Sequence, residues 1–153
     1  MKTEMKTETI KEQIGKESID PNQIGEGPLT EEQQIYKENI LDHYRYPHHK
    51  GTLSNATLMH TEHNPLCGDV ITMHLMIKNN QITDVKFDGH GCTISQASAS
   101  MLTDKLQGMI TVDVKKITRD EIMEMIGVPL GPVRSRCALL ALRTVMKGLE
   151  NLQ

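Results

Sequence analysis

The spacing of apolar residues changes at Cys92 from a strand pattern to a helical one, and this change limits the possible folds. Before it, residues 70–77 are rich in apolar and β-branched side chains, and residues 82–87 alternate apolar with polar. Asn79-Asn80 between them is typical of a hairpin turn. With a weaker strand signal over residues 56–63, we expect an α+β fold, in which helices pack on a small antiparallel sheet of about three strands.

The first helix has clear start and stop signals. Thr30 followed by Gln33 forms a capping box, in which each side chain bonds the backbone N–H of the other residue. Pro47 cannot continue a helix, so the helix is expected to end before it. The apolar residues at helical spacing predict its buried face: Ile35, Ile40, Leu41 and Tyr44.

Three further helices are predicted after Cys92. The first runs from Cys92 to a C-cap at Gly108, and the second starts at a capping box formed by Thr118 and Glu121. Residues 127–132 contain two glycines and two prolines and predict a rigid turn, after which the last helix spans residues 133–149. The core candidates of the first and last of these helices are Ile94, Ala97, Met101, Leu102, Leu106, Leu140, Val145 and Leu149.

The chain divides into a tail and one domain. Residues 1–28 are rich in lysine, threonine and glutamate, and their few isoleucines are too sparse to bury a helix face. We therefore expect residues 1–28 to be a disordered N-terminal tail. Residues 29–153 are long enough for a single domain with its own core.

The charge and hydropathy of the sequence argue against nucleic-acid binding, a membrane span and a signal peptide. A net charge of −3 argues against a nucleic-acid-binding protein, which depends on neutralising phosphates. The sequence has no apolar run long enough to cross a membrane, and its start lacks the apolar core of a signal peptide. The expected location is the cytoplasm, where thiols stay reduced.

Three cysteines and one aspartate are the candidate functional residues. Cys67, Cys92 and Cys137 are the only cysteines, an odd count that fits a disulfide framework poorly, and Asp69 follows the first of them. Thiolates select zinc, copper(I) or iron–sulfur clusters, and a carboxylate is a harder and more exchangeable ligand. The spacings of 25 and 45 residues match no common zinc finger, so the residues suggest a metal site without identifying its type.

The predicted positions of two cysteines favour the thiolate form. Cys92 lies at a helix N-terminus and Cys137 near the start of the last helix, where the helix dipole stabilises negative charge. Arg134 and Arg136 flank Cys137 and are expected to lower its pKa further. Two other interpretations remain: each cysteine is a small buried apolar residue, or Cys137 is a hydrolase nucleophile paired with a histidine.

The histidines provide weaker candidates. His60 and His63 lie close in sequence to Cys67 and are possible alternative ligands, and His90 is a candidate for orienting the Cys92 thiolate. His43, His48 and His49 are expected to be surface residues or partners of the helix C-terminus. His74 lies within a strand and is expected to be packed or exposed on one of its faces.

Three segments together resemble the U-type iron–sulfur assembly proteins, the family of IscU, SufU and the N-terminal domain of NifU. The segments are NPLCGD, GHGCTISQASASMLTD and GPVRSRCALLALRTV, and YKENILDHYRYPHHKG is similar to the family's first helix and following turn. The resemblance covers residues 35–149 and implies a SufE/NifU-like α+β fold.

The resemblance also implies roles for individual residues. The ligands of Zn²⁺ or of a transient [2Fe–2S] cluster would be Cys67, Asp69, Cys92 and Cys137. Cys137 would accept sulfane sulfur from a pyridoxal-phosphate-dependent cysteine desulfurase, and Arg134 would serve the partner interface or the geometry of the site. Asp69 matches the aspartate associated with cluster lability. The implied partners are the desulfurase and apo-iron–sulfur proteins, which makes the chain a scaffold or sulfur acceptor rather than a classical enzyme.

Details of the motifs leave three functions open. Arg136 stands where IscU has a histidine, and Arg134 matches SufU, which favours a zinc-dependent sulfurtransferase that activates a SufS-type desulfurase. The 45 residues between Cys92 and Cys137 lack the insertion usual in SufU, which favours a scaffold that assembles clusters. Residues 130–134 differ from the chaperone-recognition segment of IscU. A structural zinc domain in an interaction protein is the third possibility.

Overall fold

The structure is a computed structural model that describes residues 24–25 and 27–152. The described part contains three strands and five helices. In chain order they are α1 (Glu31–Arg45), β1 (Leu58–Asn64), β2 (Asp69–Lys78), β3 (Gln81–His90), α2 (Thr93–Leu106), α3 (Thr111–Val114), α4 (Arg119–Ile126) and α5 (Pro132–Asn151). The predicted α+β class is confirmed, and only the one-turn helix α3 has no counterpart in the sequence prediction.

The sheet is an antiparallel meander in the order β1-β2-β3. Asn79 and Asn80 both adopt left-handed backbone conformations (φ 52° and 62°), which a tight hairpin turn requires and which asparagine tolerates. The register places Asn64 at the end of β1 opposite Asp69 at the start of β2. The strand ends at this edge of the sheet therefore bring the NPLCGD segment next to the end of β3.

Helices α2 and α5 pack against each other and cover one face of the sheet. Their buried side chains form a large core with Ile71, Met73 and Phe87 from the strands. A second, smaller core lies between α1, α2 and the start of α5, and it includes Cys92 and Cys137. The candidate site therefore lies beside a core. Among the helices of the described residues, none combines the length and apolar character needed to span a bilayer.

Helix α2 is buried over nearly its whole length, although many of its side chains are polar. Two of its buried hydroxyls have close acceptors: Ser98 Oγ donates to the carbonyl of Ala138 at 2.6 Å, and Thr103 Oγ1 donates to the carbonyl of Ser100 at 2.6 Å. Small residues with satisfied hydroxyls let α2 lie close to α1, α5 and the sheet at once. The predicted C-cap at Gly108 is shifted by one residue, since Gln107 caps the helix and Gly108 follows with φ 86°.

The predicted buried face of α1 was partly wrong. Ile40 is fully buried, but Ile35 is 72% exposed and Tyr44 is 41% exposed. Tyr36 instead packs toward the core, with its ring against Gly127 where a side chain would collide with it. The contact between Tyr36 and Gly127 sets the rotation of α1 about its axis. These two residues are far apart in sequence, so the spacing of apolar residues along α1 does not predict this rotation.

The predicted tail falls mainly outside the described residues. Nothing is described for residues 1–23, so the prediction for them stays a prediction. Ile24 and Gly25 are buried, and Ile24 packs in the smaller core. Gly25 lies close to Leu29 and Val128. Packing therefore begins a few residues before the boundary predicted at residue 29.

Both predicted capping boxes are present, and the one at α4 gives a stability prediction. Thr118 Oγ1 accepts from Glu121 N at 3.2 Å, and Glu121 Oε2 accepts from Thr118 N at 2.8 Å. Thr118→Ala should lower the free energy of unfolding by about 1 kcal/mol, because the Glu121 N–H loses its partner. Urea unfolding measures this. The exposed Thr52→Ala is the control, expected to change stability by less than about 0.5 kcal/mol; equal effects would refute the capping argument.

Candidate metal centre

Cys67 lies in the turn that joins β1 to β2. The carbonyl of Asn64 accepts the N–H groups of Cys67 at 3.2 Å and Gly68 at 2.9 Å, which closes the turn. Gly68 has φ 69°, a left-handed conformation that suits glycine. The turn leaves Cys67 half-buried, and its neighbours Leu66 and Gly68 are exposed. Of the three thiols, Cys67 is the one that solvent reaches.

Asp69 begins β2 and is fully buried. Its Oδ1 accepts the backbone N–H of Cys92 at 2.8 Å. A buried carboxylate is costly unless hydrogen bonds or a cation compensate it. The backbone of Gly91 lies against this carboxylate, and any side chain there would collide with it. The glycine at position 91 therefore lets the chain at the end of β3 approach the Asp69 carboxylate.

Cys92 is the N-cap residue of α2, as its predicted position at a helix N-terminus implied. Its Sγ accepts the backbone N–H of Ser95 at 3.4 Å, the place usually taken by a serine or aspartate oxygen. Cys92 Sγ is also 4.0 Å from Asp69 Oδ2. The thiol is thus fixed between the helix N-terminus and the carboxylate.

Cys137 lies in the second turn of α5 and is fully buried. Its Sγ is 3.2 Å from Cys67 Sγ, and the side-chain amide of Asn64 donates to it at 3.6 Å. Asn64 is itself buried, and the sequence prediction did not include it. Asn64 is the first residue of the NPLCGD segment and directly precedes the turn that holds Cys67, and this position could have identified it as a site residue.

The four predicted residues therefore come together from separate elements. Ligand atoms of Cys67, Asp69 and Cys137 all lie within 4.8 Å of one another, and Cys92 Sγ lies 4.0 Å from Asp69 Oδ2. Tetrahedral zinc with sulfur ligands at about 2.3 Å places neighbouring ligand atoms roughly 3.5–3.8 Å apart. Three thiols and one carboxylate in this volume fit zinc or an iron–sulfur cluster better than Mg²⁺ or Ca²⁺, which take oxygen ligands.

The thiols differ in acidity, and one expectation from the sequence was wrong. The pKa of Cys92 is lowered to about 6, mainly because the Cys137 thiol donates a hydrogen bond to it and partly because Ser95 N–H does so. The pKa of Cys137 is raised by that same hydrogen bond and by burial, not lowered as its flanking arginines suggested. The nearest groups to its sulfur are other thiols and a carboxylate, whereas Arg136 is exposed.

The other predicted candidates lie around this group. Arg134 is half-buried in the first turn of α5. His60 pairs with Glu62 at 3.1 Å, and His63 is exposed, with its backbone carbonyl bonded to Arg143. His90 ends β3 and is also exposed. None of these three histidines belongs to the group of closely spaced ligand atoms found among the described residues.

Comparisons with known proteins identify the family of this chain. The family described as the NifU-like N-terminal domain matches residues 35–153. The iron–sulfur cluster assembly scaffold protein IscU 1 of Archaeoglobus fulgidus is 32% identical over 115 residues, which cover 75% of this chain and 74% of that protein. The zinc-dependent sulfurtransferase SufU of Bacillus subtilis is 33% identical over 132 residues, covering 75% of this chain and 89% of that protein.

A solved structure gives the same result for the fold. It is a candidate iron–sulfur cluster assembly scaffold protein for the SUF system from Fervidobacterium islandicum, with a TM-score of 0.62 and 29% identity. The match covers 76% of this chain and 98% of that one. The likeness therefore extends over nearly the whole of that structure.

Proposed function

This chain belongs to the NifU-like N-terminal domain family, and from that premise we propose that it acts in iron–sulfur cluster assembly. In this proposal it accepts sulfane sulfur from a cysteine desulfurase, holds zinc or a transient [2Fe–2S] cluster, and delivers the cluster to apo-proteins. The observation that carries the proposal is the convergence of three cysteines and a buried aspartate at one end of the sheet. The proposed ligands are Cys67, Asp69, Cys92 and Cys137.

Sulfur acceptance is assigned to Cys137. Its sulfur attacks the outer sulfur of the persulfide on the desulfurase, and a new S–S bond forms at Cys137 while the S–S bond of the donor breaks. The donor cysteine leaves as a thiolate and takes up the proton that Cys137 gives away. No oxidant is needed, because the transferred sulfur keeps its oxidation state. Asn64 holds the accepting sulfur in place through its amide.

Zinc bound at this centre would supply a positive charge that favours the thiolate form of its cysteine ligands. The chain's own contribution is to hold the donor atoms ready. Asp69 is oriented by the Cys92 N–H, and Cys92 by the N-terminus of α2. Assembled iron and sulfide are then cargo of the same four residues. We assign Arg134 to the desulfurase interface or to the geometry around Cys137.

A second candidate is a zinc-dependent sulfurtransferase that activates the desulfurase without building clusters. The residue before Cys137 favours it, because the exposed Arg136 stands where IscU has a histidine, and a guanidinium does not bind metal as an imidazole can. The short connection from Cys92 to Cys137 favours the scaffold. In either case, we expect the partners to be a desulfurase and apo-iron–sulfur proteins, and the location to be the cytoplasm.

One experiment separates these functions. The full chain is purified without oxygen, its zinc and iron are measured, and desulfurase, cysteine and iron are then added. Cluster absorbance that passes to an apo-ferredoxin supports the scaffold. Faster cysteine turnover with no cluster supports the sulfurtransferase. A chain that binds zinc but changes neither measurement would be a structural zinc domain, and the proposal would be wrong.

Asp69→Ala tests whether the carboxylate makes the centre exchangeable. A carboxylate leaves a metal by protonation or water exchange more easily than a thiolate does. The cluster of the variant should therefore pass to apo-ferredoxin more slowly than that of the wild type, with a longer-lived visible absorbance. Transfer at the wild-type rate would contradict the role of Asp69 in lability. Asp88→Ala, an exposed aspartate near the end of β3, is the control and should transfer normally.

A further inference from the structure

A second group of metal-binding side chains lies between the end of α1 and the end of α2. His48 Nδ1 is 2.6 Å from Asp104 Oδ2, and His49 Nε2 is 3.1 Å from Asp104 Oδ1. The His43 and His48 rings are 4.4 Å apart between centroids. One ligand atom from each of His43, His48 and Asp104 lies within 4.8 Å of the others. The sequence could not join these residues, because Asp104 follows His48 by 56 positions.

Buried contacts beneath this group hold it in place. Ser100 is fully buried in α2, and its Oγ bonds His43 Nδ1 at 2.7 Å and accepts the backbone N–H of His48 at 2.8 Å. Thr103 Oγ1 reaches the carbonyl of His48 at 3.4 Å. The segment after α1 is therefore tied to α2 at its backbone, and the ring of His43 is tied to the same hydroxyl.

The outer side of the group is open to solvent. The side chains of His48 and Asp104 are 52% and 43% exposed, so an ion and its water ligands have access. His43 lies in the last turn of α1, where the helix dipole favours a cation.

The donor atoms define the class of ion. Imidazole suits zinc, copper, nickel and cobalt, and one carboxylate is compatible with all of them. Mg²⁺ and Ca²⁺ take mainly oxygen ligands, so a set with two ring nitrogens disfavours them. This group contains no thiol, so we expect its metal affinity and metal preference to differ from those of the cysteine centre.

We propose that His43, His48 and Asp104 form a second metal site that takes Zn²⁺ or a similar first-row divalent ion. His49 acts there as a positioning residue, since it holds the second oxygen of Asp104. Water completes the coordination on the exposed side. The site lies on the surface where the first helix meets α2, and it is independent of the function assigned to the cysteines.

The test uses the full chain already loaded with one equivalent of Zn²⁺. Further Zn²⁺ is added and followed by calorimetry and by NMR of the histidine rings. A further equivalent should bind, with shifts in the rings of His43 and His48, and Mg²⁺ should give neither effect. His48→Gln and Asp104→Asn should each weaken this second binding at least about tenfold.

His60→Gln is the matched control, because His60 also pairs with a carboxylate, that of Glu62 on β1, but lies outside the group. It should bind the second Zn²⁺ as the wild type does. The proposal is overturned if the loaded wild type takes up no further Zn²⁺, or if Asp104→Asn binds it with unchanged affinity. In those cases the histidines serve only to pair with Asp104. Thermal melting identifies any variant that fails to fold, and the ring shifts of the wild type then decide alone.

Discussion

Cys137→Ser is expected to abolish sulfur acceptance from the desulfurase, with at least about a hundredfold loss, because a hydroxyl is far less acidic and less nucleophilic than a thiol. Without acceptance, cysteine turnover by the desulfurase should lose its stimulation by this chain. The measurement is the rate of cysteine turnover, combined with mass spectrometry of the peptide that contains residue 137. In the wild type that peptide should carry the added sulfur.

The burial of Cys137 means that a donor persulfide cannot reach its thiol without a local movement of the chain. Cys137 is fully buried, whereas Cys67 is partly exposed and only 3.2 Å away between sulfur atoms. Cys67 belongs to the turn over residues 65–68, so we expect this turn to move aside when a donor persulfide reaches Cys137. Pro65, Leu66 and Gly68 of that turn are exposed.

The location of the added sulfur distinguishes the alternatives. Sulfur on Cys67 alone, with stimulation retained in Cys137→Ser, would assign the accepting role to the more accessible thiol. Cys92→Ser is the comparison variant, because it removes a proposed ligand but keeps the thiol of Cys137. It should lose zinc affinity while its Cys137 peptide still gains sulfur from a small-molecule persulfide. Equal loss of sulfur in both variants would mean that the centre as a whole, not Cys137, accepts it.

Local signals in the sequence were sufficient for much of the fold. The capping boxes at Thr30 and Thr118 and the turn at Asn79-Asn80 depend on residues within three positions of each other. In these features, side chains form hydrogen bonds with nearby backbone groups or tolerate the backbone conformation of a turn. A short stretch of sequence is therefore enough to predict them. No side-chain hydrogen bond caps the N-terminus of the one-turn helix α3, and the sequence analysis did not predict this helix.

The proximity of the four proposed ligands was predictable from the sequence, but the acidity of their thiols was not. The cysteines and Asp69 were identified from their motifs, and strand ends and helix starts do meet at one end of the sheet. The raised pKa of Cys137 was not foreseen, because charges adjacent in sequence matter less than groups in direct contact. Arg136 neighbours Cys137 along the helix yet is exposed, whereas Cys67 and Cys92 contact its sulfur.

Contacts between distant residues account for the remaining differences. Tyr36 packs on Gly127, and His48 packs on Ser100 and Asp104, across separations that no periodicity in the sequence links. A helical pattern gives the apolar side of α1 but not its rotation against α2 and α4. Ile35 and Tyr44 are therefore exposed, although their spacing suits a buried face.

Gly91→Ala is expected to damage the centre without replacing any proposed ligand. A Cβ at residue 91 would collide with the carboxylate of Asp69 and would lie 2.7 Å from Ser95 Oγ. Asp69 would have to move, which breaks its 2.8 Å bond to Cys92 N–H. Zinc affinity should fall about 10- to 100-fold, the usual effect of losing a group that orients a ligand. Overpacking should also lower the free energy of unfolding by about 1–3 kcal/mol.

Gly108→Ala provides the matched control for this substitution. Gly108 has φ 86°, and among the described residues no atom beyond its own chain neighbours lies within 4 Å of the place where its Cβ would be. Alanine there should cost about 1–2 kcal/mol for the left-handed backbone but leave zinc affinity unchanged. Competition with a zinc chelator measures the affinity of both variants, and urea unfolding measures their stability. If Gly91→Ala loses only stability and keeps wild-type zinc affinity, the close approach of residue 91 to Asp69 serves folding alone, and the carboxylate does not need its bond to Cys92 in order to bind metal.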